Sequence, residues 1–317
     1  MKTRDDISDV LAIGVEIGGT KIQVGIGSAN GKLLKPAVRR QVIRENGADG
    51  IRRELVSMVE DALASTEHSL SDIDRIGVGF GGVLDTNQGL ALKSYQIDGW
   101  DNFPLRKWAE EQWGKPVVIQ NDASTAGLAE ALHGSGRGYG RIFYMTIGSG
   151  IGGGWIVDGK IDNGQGLGSA EIGHTWVPDP LSGIPTELEH ICSGWGIGRR
   201  ARLAAENTES SMLEAAGSLH AIDAKIVYAA AENGDELANQ ILNETCQTLG
   251  IAISNVIALL HPQRVIVGGG VSFMGPLFWK PLRSEVALRS MPSFASSVEV
   301  VRAELGEDVV VIGAICL

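Results

Sequence analysis

Apolar and polar positions alternate from Ala12 to Glu16 and run into Gly18-Gly19-Thr20, which predicts a strand entering a tight turn. Residues 21–27 read as the returning strand, and Asn30-Gly31 as the turn into a third strand over 32–40. Leu55, Met58, Val59, Ala62 and Leu63 recur at helical spacing, so 51–65 reads as a helix. A short strand over 75–80 ends at Gly81-Gly82, a helix is expected over 105–112, and a buried strand over 116–120. Asn121-Asp122 then precedes an alanine-rich helix over 123–132. The order restarts with a strand over 142–147, the turn Gly148-Ser149-Gly150, and a strand over 154–157 that meets the turn pair Asp158-Gly159. Residues 182–202 are irregular and then helical, while 221–231 and 235–260 are helical throughout. A buried strand over 264–267 runs into Gly268-Gly269-Gly270, and the apolar tail 308–315 suits a helix or a strand equally.

An offset of 130 lays the two halves side by side, Ile17 on Ile147, Gly18 on Gly148 and Ile26 on Ile156. The later hairpin is two residues shorter, after which Asn30-Gly31-Lys32 meets Asp158-Gly159-Lys160. The shared layout argues for an internal duplication more strongly than the few identities do. Alternating strands and helices give an α/β protein. Two similar halves imply a central cleft, where ligands commonly bind. At 317 residues the chain exceeds the usual span of one core, so two domains are expected.

Composition sharpens this picture in one respect. Of 43 glycines, 14 fall within the 40 residues from Gly134 to Gly173. Glycine costs conformational entropy on folding, so such a concentration marks backbone that turns sharply or closely approaches something. The net charge of −11 and the lack of a Lys/Arg cluster exclude a nucleic-acid footprint. Cys192, Cys246 and Cys316 contain no CxxC and suit neither a disulfide framework nor a cysteine-rich zinc site. The first ten residues are too polar for a signal peptide, and 10–26 is interrupted by Glu16, Lys21 and four glycines, so no membrane span is expected. A cytoplasmic protein is the resulting expectation.

GxGxxG occurs at Gly77-Val-Gly79-Phe-Gly-Gly82 and at Gly148-Ser-Gly150-Ile-Gly-Gly153. Neither opens a helix, so a dinucleotide fold is set aside, and there is no GxxxxGK[ST]. A glycine turn between two strands can instead present successive backbone N–H groups to an anion. Two such turns, with Gly268–Gly270 after a third strand, suit a triphosphate gripped from both sides. Plain tight hairpins remain the alternative.

Glu16-Ile-Gly-Gly-Thr-Lys21 resembles the first phosphate motif of the actin-like ATPase superfamily, Gly148 to Gly154 the second, and Val265-Ile-Val-Gly-Gly-Gly270 its adenosine motif. More narrowly, Asn121-Asp122, Glu171-Ile-Gly-His174 and Leu188-Glu189 resemble the sugar-site motifs of the ROK family of repressors, uncharacterised reading frames and sugar kinases. The motifs run in family order from about residue 11 to the Gly313-Ala314 tail. The resemblance implies two ribonuclease-H-like (actin-like ATPase) domains flanking a central cleft. The smaller is expected to hold 1–121 plus 303–317 and the larger 122–302. It implies ATP-dependent phosphorylation of a hexose or N-acylhexosamine, with Mg²⁺, in a homodimer, while the charge and the apolar pattern lead to no nucleic-acid or membrane partner. Asp122 becomes the general base, with Asn121, Glu171, His174, Glu189 and Gly82 at the sugar. Gly18, Gly19, Thr20, Lys21, Gly148, Ser149, Gly150, Gly268, Gly269 and Gly270 attend the nucleotide and its phosphates, with hydroxyl contacts from Thr146 and Ser149.

These residues also have plain readings. An Asp before an alanine-rich helix is a common N-cap, and the helix N-terminus favours its ionised form. Asn121 suits a turn. Glu171 and His174 lie at i, i+3, so one helical turn puts them on one face.

Three positions depart from the family pattern. Glu16 stands where Asp is usual, which keeps the carboxylate that helps to hold hydrated Mg²⁺ but moves it one methylene further out. Many members carry a cysteine cluster that binds zinc together with the histidine. Here 178–192 contains only Cys192, so no zinc is expected and His174 is left to the sugar. The loop Ser94-Tyr-Gln96-Ile-Asp98-Gly-Trp100 differs from the asparagine-containing segment of the kinases, so the sugar is not carried over. About ten residues precede the first strand, too few for the helix-turn-helix of the repressors. A catalytically impaired sugar or nucleotide sensor is the second reading, and an actin-like filament protein the third.

Overall fold

Strand β1 (Leu11–Ile17) pairs antiparallel with β2 (Lys21–Ser28), placing Ile17 opposite Ile22 and Glu16 opposite Gln23. The computed structural model describes residues 10–206 and 208–317. The polar opening segment, residues 1–9, lies outside the described residues. Strand β3 (Val38–Gln41) is shorter than the expected 32–40. Pro36 interrupts that stretch, and Leu33 only bridges back to Gly27. Helix α1 (Gly47–Ala64) buries Ile51, Leu55, Met58, Val59 and Ala62, the stripe its spacing predicts. Strand β4 (Arg75–Phe80) runs parallel to β1. After it come a small hairpin, β5 (Val83–Asp85) with β6 (Leu90–Lys93), and helix α2 (Leu105–Trp113). Strand β7 (Val117–Asn121) is parallel to β4 and passes directly into α3 (Asp122–His133).

Next come β8 (Arg141–Ile147), β9 (Ile151–Val157) and β10 (Lys160–Ile161). Asp158 and Gly159 both have positive φ, 49° and 71°, as an Asp-Gly hairpin turn requires. A two-stranded hairpin follows, β11 (Trp176–Pro178) with β12 (Pro185–Glu187). Helices α4 (Leu188–Cys192), α5 (Gly194–Ala205), α6 (Ser211–Ala216), α7 (Ala224–Glu232) and α8 (Glu236–Leu260) come next. The N-caps of α5, α7 and α8 are Ser193, Asp223 and Asp235, whose side chains accept backbone N–H bonds. Strand β13 (Arg264–Gly268), α9 (Pro276–Arg289), α10 (Pro292–Ala295), β14 (Glu299–Arg302) and α11 (Val309–Cys316) complete the chain.

The first sheet has the order β3-β2-β1-β4-β7 and the second β10-β9-β8-β13-β14. Each is a hairpin with a third strand on one side and two later strands on the other. The repeated layout of the sequence thus reappears as a repeated strand order. The described residues form two compact units. One takes the chain up to Tyr144 with Gly154–Ser169 and Glu304–Leu317; the other holds Met145–Gly153 and Ala170–Ala303.

In the first unit, Ile13, Val15 and Ile17 of β1 join the α1 core, so Ala12, Gly14 and Glu16 take the opposite face by the two-residue period. Ala12 packs there with Val311 and Ile315 of α11. The tail is therefore a helix. It lies so close to β4 that a methyl at Gly77 would overlap the Ala314 carbonyl. Among the described residues no helix is long and apolar enough to cross a membrane.

Candidate functional site

In the first unit the glycine turn is closed by Gly18 N–H to Lys21 O, 3.1 Å, and tied to the end of β4 by Gly81 N–H to Ile17 O, 2.8 Å. Glu16, the last residue but one of β1, is 7% exposed. Its carboxylate accepts from Gln23 Nε2 and lies 3.5 Å from Lys21 Nζ. Burial raises the Glu16 carboxyl above its ordinary range against Lys21 and Gln23, and the nearby charge of Asp122 raises it further. The Lys21 ammonium also donates to the Glu307 carbonyl at 3.4 Å, as Gln23 Nε2 does at 3.0 Å. Thr20 is exposed, and the Gln96 side chain lies over Gly19.

Asn121 and Asp122 divide the start of α3 between them. The N-cap is Asn121, whose Oδ1 accepts from Ser124 N–H at 3.1 Å, while Asp122 is the first helical residue. Asn121 thus does the capping that the sequence offered to Asp122. Asp122 Oδ1 accepts from Ala123 N–H at 2.8 Å. A methyl placed on Gly81 would stand 3.1 Å from Asp122 Oδ2, 3.3 Å from Ile17 O and 3.6 Å from Gly18 Cα. Gly81 therefore lies where the carboxylate and the first glycine turn meet. Burial pushes the Asp122 carboxyl up, with the backbone N–H groups of Ala123 and Asp122 acting against it. Loss of water thus outweighs the helix N-terminus. Gly82 sits beside them, its carbonyl 3.5 Å from Asn121 Nδ2.

In the second unit, Gly148 N–H bonds to Gly150 O at 2.9 Å, and the Gly148 carbonyl accepts from Gly194 N–H at 2.8 Å. Glu189 Oε2 accepts from Ile151 N–H at 2.7 Å and would lie 2.5 Å from a methyl on Gly150. One oxygen of a residue assigned to the sugar thus braces the second glycine turn. Gly269 has φ 78°, and any side chain there would meet the Ile147 backbone at 2.5 Å. Gly148 and Gly270 have open space where a side chain would stand, so their backbone is approachable. Ser149 lies between Gly148 and Gly150, in the second glycine turn.

Glu171 precedes a single 3-10 turn, Ile172–His174, and its carbonyl accepts from His174 N–H at 3.1 Å. Ala170 just before it has φ 63°, a costly conformation for a residue with a Cβ. His174 Nδ1 lies 3.0 Å from Glu187 Oε2. The Glu187 hydrogen bond raises the imidazole above its ordinary range; partial burial opposes this, and the charges of Glu187, Glu171 and Glu189 add to it.

Two of these partners were missed in the sequence, Gln23 and Glu187. Gln23 was accessible in principle, because a four-residue turn after Ile17 makes Glu16 and Gln23 cross-strand partners. Glu187 gave a weaker signal, since Ser182-Gly183 marks a turn but the three-residue strands that bring it opposite Trp176 are too short to show alternation.

The family model described as "ROK family" matches residues 12–317. The chain is 34% identical over 307 residues to the glucokinase of Thermotoga maritima, covering 95% of each. It is 32% identical over 317 residues to the glucokinase of Halalkalibacterium halodurans, covering 97% of this chain and 94% of the relative. Among solved structures, a ROK family glucokinase from Streptomyces griseus, in complex with glucose and AMPPNP, superposes with a TM-score of 0.82. That pair is 32% identical and covers 96% of this chain and 98% of the other.

Proposed function

The chain belongs to the ROK family, and from that premise we propose that it transfers the terminal phosphoryl group of ATP to a hydroxyl of a hexose or N-acylhexosamine. The observation that supports this most is the placement of Asp122 at the start of α3, its Oδ2 beside Gly81 and the first glycine turn. Asp122 accepts the proton of the sugar hydroxyl as that oxygen attacks phosphorus. Asn121, Gly82, Glu171, His174 and the second oxygen of Glu189 bind the remaining hydroxyls. Gly18, Gly19 and Thr20, with Gly148, Ser149 and Gly150, offer N–H and O–H groups to phosphate oxygens, and Gly268, Gly269 and Gly270 flank the nucleoside. Lys21 holds Glu16 in place. Glu16 Oε1 would lie 3.8 Å from a methyl on Gly18 and Asp122 Oδ2 3.1 Å from one on Gly81, two carboxylates at one turn that fit a divalent cation nearby. Glu16 would hold hydrated Mg²⁺ through water, and the ion supplies charge neutralisation to the phosphates. The protein acts in the cytoplasm as a homodimer without nucleic acid, a state that sedimentation equilibrium measures.

The test is ADP release across a panel of sugars, with the product hydroxyl identified by NMR. Sugar-dependent release that Asp122→Asn removes supports the reading, and binding without turnover for every sugar tested rejects it. That second outcome is what the sensor reading predicts. It is favoured by the engagement of the Glu16 carboxylate by Gln23 and Lys21.

A further inference from the structure

The segment Glu187-Leu188-Glu189 joins three parts of the second unit. Glu187 ends β12 and faces His174, Leu188 is fully buried, and Glu189 braces Ile151 after the glycine turn. The Leu188 N–H also bonds to the Thr175 carbonyl at 2.9 Å, fastening the start of α4 to the residue after His174. The β11–β12 hairpin between them is closed by its own polar groups. Asp179 Oδ1 accepts from Leu181 N–H at 3.0 Å, Ser182 N–H at 2.9 Å and Ser182 Oγ at 3.0 Å. Gly183 N–H bonds to Asp179 O at 2.8 Å, and Asp179 N–H to Ile184 O at 3.0 Å.

This donor set does not fit the zinc that many family members hold at this place. The Cys192 sulfur is buried and engaged by the Thr245 carbonyl of α8 at 3.7 Å. Burial pushes its thiol up, and a thiolate is what zinc requires. The Nδ1 of His174 is already engaged by a carboxylate. A histidine whose one nitrogen is tied to a carboxylate has its ring plane and tautomer fixed, which leaves the other nitrogen for a ligand.

We propose that Glu187 is a positioning residue of the sugar site: its carboxylate fixes the His174 ring through Nδ1 and leaves Nε2 for a sugar hydroxyl, in a hairpin held closed without zinc. The proposal rests on the reading of His174 as a sugar contact. With Nδ1–H donating to Glu187, the neutral ring presents Nε2 as an acceptor. Without Glu187 the ring is free to rotate and to take the other tautomer.

The test uses the full chain with histidine labelled in ¹⁵N. In the wild type, at a pH above the raised His174 value, the shifts report Nδ1 protonated and Nε2 bare. Glu187→Ala moves the ring to the Nε2–H form and raises the sugar KM by about tenfold or more, with the ATP KM unchanged and kcat little altered. Glu187→Gln keeps an acceptor oxygen and restores most of the sugar KM, and circular dichroism confirms that both variants are folded. Elemental analysis finds no stoichiometric zinc in the purified protein. A neutral wild-type ring protonated on Nε2 alone, about one zinc per chain, or an unchanged sugar KM in Glu187→Ala overturns the proposal. Failure of the sugar-kinase reading looks different: no sugar is phosphorylated by the wild type, yet the tautomer still switches in Glu187→Ala, which upholds the hold of Glu187 on the His174 ring.

Discussion

At Asp122 the loss of water raises the carboxyl, while the N–H groups of Ala123 and of Asp122 itself favour the anion. A general base must be ionised, so kcat/KM rises with pH through this raised value. The acid limb of the pH–rate profile is expected above pH of about 4, where an ordinary aspartate titrates. A limb at or below that value shows that the N–H donors prevail over burial. The same shift has a consequence for stability. A carboxyl whose folded value exceeds its unfolded one favours the fold below the unfolded value and loses that contribution as pH rises through the folded value. Above the folded value the ionised Asp122 is therefore a cost, and Asp122→Asn removes it. The variant is expected to lose a factor of roughly 10² to 10⁴ in kcat yet to melt no lower than the wild type. Paired assays of turnover and thermal unfolding check both halves, and a lowered melting temperature contradicts the second.

Helix α3 begins at the proposed base and ends at a second buried carboxylate. Glu130 is fully buried. Its oxygens accept from Ser135 N–H at 2.8 Å, Glu304 N–H at 2.9 Å and Leu305 N–H at 2.8 Å. It thereby pins the segment leading into α11 against the end of α3. Glu130→Ala strands three backbone donors, each costing about 1–3 kcal/mol, so a loss of at least about 3 kcal/mol is expected in urea unfolding. Glu130→Gln keeps the oxygen that serves Glu304 and Leu305 and should cost markedly less. Equal losses in the two variants remove the hydrogen-bond explanation. Nothing in the sequence pattern announced the contact with Glu304 and Leu305, because these are backbone groups 174 and 175 residues away. Elements with their own periodicity, such as α1, β4 and the β1–β2 hairpin, were legible for the opposite reason: their signals are local. The tail was ambiguous because Val309, Val310, Val311 and Ile312 are β-branched and favour a strand. Packing onto β1, β4 and α3 overrides that preference. The glycine excess was legible only in part. Gly148 and Gly270 leave open space, as a phosphate or nucleoside site requires, but Gly77 serves the approach of α11 to β4.

Over the whole molecule the formal charge is −11, and each glycine turn also has a carboxylate behind it, Glu16 at the first and Glu189 at the second. The Lys21 ammonium at the first turn is shared between Glu16 and the Glu307 carbonyl. An anionic nucleotide therefore gains no long-range attraction from the protein. On the proposed reading, what holds it acts at contact, through backbone N–H groups and the divalent ion. Long-range repulsion is screened by salt, with a Debye length that falls from about 30 Å at 0.01 M to about 8 Å at 0.15 M, whereas contacts at hydrogen-bond distance are screened far less. Raising the salt across that range should consequently leave the KM for Mg·ATP unchanged or lower it slightly. Calorimetry with ATP and excess chelator should show binding weakened by tenfold or more, a factor of ten being about 1.4 kcal/mol. A KM that climbs steeply with salt means that cationic side chains grip the phosphates. The two glycine turns would then be hairpins first and phosphate cradles only by resemblance.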